Sequence, residues 1–117
     1  MAKTEYTGIV RRKGVSRYCC RVRGDGAQPR LRDGDYLIVA PSHESNLGDE
    51  VLVELTNGQR LVCELVTASA GHAELRPTGE QTASEPLDAA VVKSIDYIAG
   101  IARSCVDGMA RGPEVRT

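Results

Sequence analysis

Short apolar runs, several alternating with polar residues and each closed by Gly, Pro, Asn or Asp, follow one another along most of the chain. No stretch keeps a helical period for long, so the pattern predicts a mainly β protein. Strands are expected at residues 6–10, 17–23, 36–40, 51–56, 60–66, 73–76 and 97–103. Asn57-Gly58 between two apolar runs predicts a two-residue type I′ turn, which needs positive φ at both central positions, and so makes residues 51–66 a hairpin. Within it Val51, Val53, Leu55, Leu61, Cys63 and Leu65 alternate with Leu52, Val62 and Val66. Both faces are therefore apolar, which suits the interior of a coiled sheet better than a ribbon facing solvent.

Turn chemistry at Asp33-Gly34-Asp35 and at Asn46-Leu47-Gly48-Asp49 delivers the chain into the strands that follow. Residues 77–88, with two Pro, Gly79 and several Ser, Thr and Glu, read as an exposed loop. Residues 107–117 lack apolar periodicity and are expected to fray. The expected organisation is an N-terminal segment over 1–16, read as a linker remnant, one β domain over 17–104, and a flexible tail over 105–117.

Composition narrows this picture. A chain of 117 residues, 41% hydrophobic, fits one domain with a modest core. Phe and Trp are absent, so that core falls to Val, Leu, Ile and Ala, and dimerisation would add to its stability. No apolar run approaches the roughly 18–20 residues of a membrane span, and Met1 to Glu5 lack the design of a secretory signal. The expectation is a cytoplasmic protein. Cys19, Cys20, Cys63 and Cys105 show no CxxC spacing, and His43 and His72 stand alone, which argues for inert thiols over a zinc site. Adjacent Cys19 and Cys20 would point to opposite faces of a strand and are poor partners for each other. No metal or cofactor is expected.

The net charge of −1 hides an asymmetry: residues 1–40 carry nine basic side chains against four acidic ones, and residues 41–117 carry six against twelve. The basic stretch from Arg11 to Arg32 lacks the interleaved aromatics of a single-strand-binding surface. A solvated face or a partner contact is the favoured reading, with nucleic-acid binding as an alternative.

Gly24-Asp25-Gly26-Ala27-Gln28-Pro29, continued by Arg30-Leu31-Arg32-Asp33-Gly34-Asp35-Tyr36-Leu37-Ile38-Val39, carries the most specific signal. Together with Gly48-Asp49-Glu50-Val51-Leu52-Val53 and Leu61-Val62-Cys63-Glu64-Leu65, it resembles the LexA and phage-repressor family of self-cleaving serine-lysine peptidases. Residues 98–103 resemble that family's closing Ile-x-Gly-x-Val-x strand. The resemblance implies that the domain over 17–104 is LexA-like, a coiled β-sheet domain of the LexA and signal-peptidase type, with short hairpins.

In that family the loop usually reads Gly-Asp-Ser-Met-x-Pro and the later strand Val-Lys-Arg-Leu. Laid on this chain, the serine position is Gly26 and the lysine position Cys63. A serine hydroxyl needs a base, and a desolvated neutral lysine serves as one. Gly26 has no side chain to attack with, and Cys63 does not replace an amine. The small-residue pair at which members cut themselves, Ala-Gly or Cys-Gly, is missing as well: Gly8 follows Thr7 and Gly14 follows Lys13.

The resemblance thus implies a catalytically inactive repressor-type C-terminal domain that self-associates as a homodimer. DNA would be engaged only through an N-terminal DNA-binding domain, of which these residues show no helix-turn-helix pattern, and release would fall to another input such as an antirepressor protein. An apolar strand over 97–103, left at a sheet edge, would favour pairing with a second chain. The rival reading is an active peptidase with non-standard residues: Cys63 as nucleophile with His43 or His72 as base, or the hydroxyls of Ser42 and Ser45. Cys63 sits in an apolar strand beside Glu64, a poor setting for a reactive thiol.

Overall fold

Apolar side chains at alternate positions bury best when the chain is extended and paired with neighbours, and this decides the local structure. The computed structural model describes residues 16–24, 30–69, 72–77, 85–105 and 107–117. Its strands are β1 (Tyr18–Arg23), β2 (Tyr36–Ala40), β3 (Glu50–Leu55), β4 (Arg60–Ser69), β5 (His72–Pro77), β6 (Glu85–Asp88), β7 (Val92–Ala102), β8 (Ala110–Arg111) and β9 (Val115–Arg116), with one 3-10 turn at Ala89–Val91. The mainly β class expected from the pattern is what the structure has. The strand expected at residues 6–10 lies outside the described residues.

All strands join one mixed sheet in the order β6-β5-β4-β3-β7-β2-β1-β8, with β9 also on β1. Pairing is antiparallel except that β8 and β9 run parallel to β1. The sheet curls on itself: β9, hydrogen-bonded to β1, also lies against β4, although β2, β7 and β3 separate β1 from β4 in the sheet order. One buried cluster fills the inside of this curl, with Cys20, Val22, Leu37, Val39, Leu52, Val62, Ile98 and Val115 around Leu31. A second, of Val51, Val53, Cys63, Leu65, Leu75, Val92 and Ile95, covers the opposite face of β3, β4, β5 and β7. The two-sided apolar character of the 51–66 hairpin follows from this arrangement, since Leu52 and Val62 serve one cluster and their sequence neighbours the other.

Four local expectations are corrected. The β3–β4 connection is not a type I′ turn, because none of the described non-glycine residues has positive φ and only Gly58, at φ 90, does so in this loop. Instead Gly58 N–H donates to the Leu55 carbonyl at 2.9 Å, and Leu55 N–H to that of Gln59 at 2.8 Å. This is a type I turn closed by a left-handed glycine, the three-residue hairpin loop that also matches strand twist. The Asn57 side chain accepts from Gln59 N–H at 2.9 Å.

Part of the expected 77–88 loop is strand, since β6 pairs with β5 from His72↔Asp88 to Leu75↔Glu85. The expected frayed end is ordered against β1, where Val115 is fully buried opposite Val22. Finally, β7 begins five residues earlier than the expected strand and is not an edge, being paired with β2 on one side and β3 on the other. Its first half escapes the pattern because Ser94 and Asp96 take buried positions that alternation would assign to apolar residues.

Candidate functional site

The two ends of the glycine loop are held by different means. On the β1 side, Gly24 adopts φ +96 and donates its N–H to Asp33 Oδ1 at 2.8 Å. A side chain there would be strained by the backbone and would meet the Thr117 carbonyl oxygen at 2.7 Å. On the β2 side, Leu31 plugs the inner cluster, and Asp35 caps the turn by accepting Arg32 N–H at 3.0 Å. Gly34, at φ 93, donates to the Val22 carbonyl at 2.8 Å, locking this turn onto β1. Gly26, with Asp25, Ala27, Gln28 and Pro29, lies outside the described residues.

Arg30, at the loop's exit, grips Glu50 through two hydrogen bonds of 2.7 and 3.1 Å. Glu50 is the cross-strand partner of Glu64, which in turn is partnered by Arg76 at 3.4 Å. A row of two adjacent carboxylates, Glu50 and Glu64, flanked by Arg30 and Arg76, thus lines one face of β3, β4 and β5 beside the loop. Cys63 is the sequence neighbour of Glu64, so its side chain points to the other face. There it pairs with Val51 and Pro77 and is 1% exposed in the apolar cluster. Burial pushes its thiol up to about 12, so it is neutral and unreactive at ordinary pH. Cys63, expected from the resemblance to hold the lysine position, therefore faces away from the ion-paired row that receives Arg30.

None of the alternative partners reaches Cys63. His43 stacks on Tyr97 with ring centroids 4.0 Å apart, and its Nδ1 lies 2.9 Å from the Glu44 carbonyl oxygen. Tyr97, Val51 and Cys63 form one row across β7, β3 and β4, so two interstrand spacings, roughly 10 Å, separate the strand under His43 from Cys63. His72 opens β5 five positions from Pro77, about 17 Å along the strand from the Cys63 partner. Ser42 is half-buried in the turn after β2. Ser45 is 5% exposed, and its Oγ has no hydrogen-bond partner among the described residues. The described lysine, Lys93, is 66% exposed and 3.7 Å from Glu54, a solvated ammonium rather than a desolvated base.

Of the basic stretch, Arg11 to Lys13 lie outside the described residues. Arg23 is bound to Glu114 at 2.9 Å and Arg30 to Glu50, so part of its charge is offset within the fold. Among the described residues, no group of three or more His, Cys, Asp or Glu side chains is placed to hold a metal ion.

Two features were not legible in the sequence. Tyr18 reaches the buried Asp96 carboxylate at 3.4 Å, and nearby Arg60 approaches Cys20 Sγ at 3.9 Å. Burial pushes the Cys20 thiol up to about 11. Cys19 and Cys105 meet with their sulphur atoms 2.8 Å apart, although 86 positions separate them. Nothing local to either cysteine signals that meeting.

A family model described as Peptidase S24-like matches residues 3–102. No curated protein and no solved structure matches the chain.

Proposed function

The chain belongs to the Peptidase S24-like family, and from that premise we propose that it is a non-cleaving member, a repressor-type C-terminal domain whose task is self-association. The observation that carries this reading is Cys63. A serine-lysine mechanism needs an amine at that position, able to take a proton from the nucleophile. Cys63 offers a neutral thiol pushed up to about 12, in an apolar cluster and out of reach of either histidine. Gly26, at the nucleophile position, has no side chain, and the solvated Lys93 is a poor substitute base.

In this reading the domain forms a homodimer that holds paired DNA-binding units together, raising avidity by roughly 10²- to 10⁴-fold when geometry permits. The contact surface is not the strand first expected, since β7 is interior. The sheet's terminal strand β6 carries Glu85, Pro86 and Asp88, residue types that discourage edge pairing. Side-chain packing that includes the exposed Leu47 and Val91 suits the dimer better than strand addition. A regulator of this kind does not respond to a cleavage-inducing signal, and an antirepressor protein is the fitting release.

The test is incubation just below pH 9, where Cys20 and Cys63 stay protonated, followed by intact mass measurement. The expected result is an unchanged chain, together with a concentration-dependent dimer in sedimentation. Discrete cleavage products that vanish in Cys63→Ser or Ser42→Ala would overturn the inactive reading. A monomer at high micromolar concentration would overturn the self-association.

A further inference from the structure

Three of the four cysteines are buried, and two of them, Cys20 and Cys63, have thiols pushed far above the ordinary range. Cys19 and Cys105 differ in having each other. Their Sγ atoms, 2.8 Å apart, are closer than sulphur atoms in ordinary non-bonded contact. A disulfide is about 2.05 Å long, so closing the bond asks for a movement under about 1 Å. The backbone around Cys19 is fixed: it pairs with Ile38 of β2 on one side and Arg111 of β8 on the other, and its carbonyl accepts Gly112 N–H at 2.8 Å.

The surroundings also suit exchange chemistry. A pocket of about 160 Å³ opens beside Cys19, lined by Arg21, Tyr36, Arg111, Gly112 and Glu114. Two guanidinium groups against one carboxylate draw in small anions. Cys105 is only half-buried, and its thiol is held below the ordinary range by the Cys19 contact and by hydrogen bonding to Arg111. Cys105 is thus the accessible, reactive member and Cys19, 1% exposed, the resolving one.

We propose that Cys19 and Cys105 form a reversible disulfide by exchange with an anionic low-molecular-weight disulfide of the glutathione class. The Cys105 thiol loses its proton to solvent and its thiolate attacks one sulphur of the small disulfide. That bond breaks, leaving a mixed disulfide on Cys105 and releasing one small thiolate. Cys19, losing its proton in turn, attacks the Cys105 sulphur and expels the second small thiolate. The two departing thiolates take up the two protons, so the protein dithiol is oxidised and one small disulfide is reduced to two thiols. The new bond ties β1 to the β7–β8 connection and so secures the segment that carries β8 and β9. This inference rests on the cysteine geometry and is independent of the peptidase reading.

The experiment is to treat the whole chain with glutathione disulfide, quench with acid, alkylate and map peptides by tandem mass spectrometry. Two of the four thiols should disappear in a monomeric product that links the Cys19 and Cys105 peptides. Reduction with dithiothreitol should restore both thiols, and the linked form should melt on the order of 10 °C higher than the reduced one. Cys20→Ser should retain the link, whereas Cys19→Ser should stop at a mixed disulfide on Cys105. In the wild-type chain, a product stopping at that mixed disulfide, a Cys105–Cys105 dimer, a link through Cys20 or Cys63, or no change in melting would overturn the proposal. The mapping is made on wild-type protein, so it decides the matter even if a variant fails to fold.

Discussion

Replacing Val115 with alanine separates a structural C-terminal segment from an ornamental one. Val115 lies in a two-residue strand, flanked by exposed Glu114 and Arg116, and is fully buried against Val22 and the inner cluster. The substitution removes two methyl-sized groups, at about 0.8 kcal/mol each in transfer energy, and leaves a cavity that the curled sheet closes only in part. The two contributions together give a destabilisation of about 2–3 kcal/mol. An equivalent change on a frayed tail would stay within about 0.5 kcal/mol.

Urea unfolding followed by circular dichroism measures the difference. The midpoint should fall by roughly 1–2 M with the slope unchanged, because the surface exposed on unfolding is nearly the same. Glu114→Ala is the internal control: it removes the exposed Arg23 ion pair one residue away and should cost at most about 1 kcal/mol. If Val115→Ala and Glu114→Ala unfold at the same urea concentration, the burial of β9 against β1 and β4 is not an energetic part of the fold.

Two more perturbations test other parts of the same packing. A Cβ at Gly112 would lie 2.7 Å from two Tyr18 ring carbons and 2.9 Å from Cys20 Sγ, so Gly112→Ala should destabilise by about 1–3 kcal/mol and alter the near-ultraviolet tyrosine signal; a neutral substitution would contradict the close passage of β8 beside β1. The buried thiols set an alkaline limit. Their folded pKa values, about 11 for Cys20 and about 12 for Cys63, stand above the ordinary 9.0, so the stability they contribute is fully present below pH 9 and is lost as pH rises toward 11 and 12. The loss is on the order of 1 kcal/mol per pH unit for each thiol. Cys63→Val should therefore show a shallower decline of the urea midpoint between pH 9 and 11 than the parent, and identical declines would refute the assignment.

How much of this was legible in the sequence depends on whether a residue's neighbours are local. The β3–β4 hairpin was readable because both strands alternate and Asn57-Gly58 sits between them; only the turn type was misread, since Gly58 alone needs the left-handed conformation. The burial of Cys63 was readable for the same reason, from the apolar strand around it. The first half of β7 was not, because Asp96 is buried opposite Leu52 and meets Tyr18, 78 positions away. β8 and β9 are two residues each, too short for any periodic signal, and exist as strands only because β1 offers them a parallel edge. The Cys19–Cys105 meeting depends on that same closure.

The proposed loss of cleavage has a physical counterpart in the same packing. A lysine at position 63 would place an amine in a cluster of Val51, Val53, Leu65, Leu75, Val92 and Ile95, where the charged form is strongly disfavoured and only a neutral amine is tolerated. That tolerance is what a base requires, and it weakens the core that supplies it. A thiol satisfies the same volume as a small hydrophobe and stays neutral without cost at ordinary pH. If position 63 is the base position, as proposed, a hydroxyl at position 26 would find no amine there to take its proton. The turns at Gly24, Gly34 and Gly48 are a separate matter, since the first two set β2 against β1 and the third, bonded to Leu65, sets β3 against β4, so they bear on the fold whether or not a nucleophile stands in the loop. Under the proposed function, selection on shape alone would keep those turns and the apolar alternation and release positions 26 and 63.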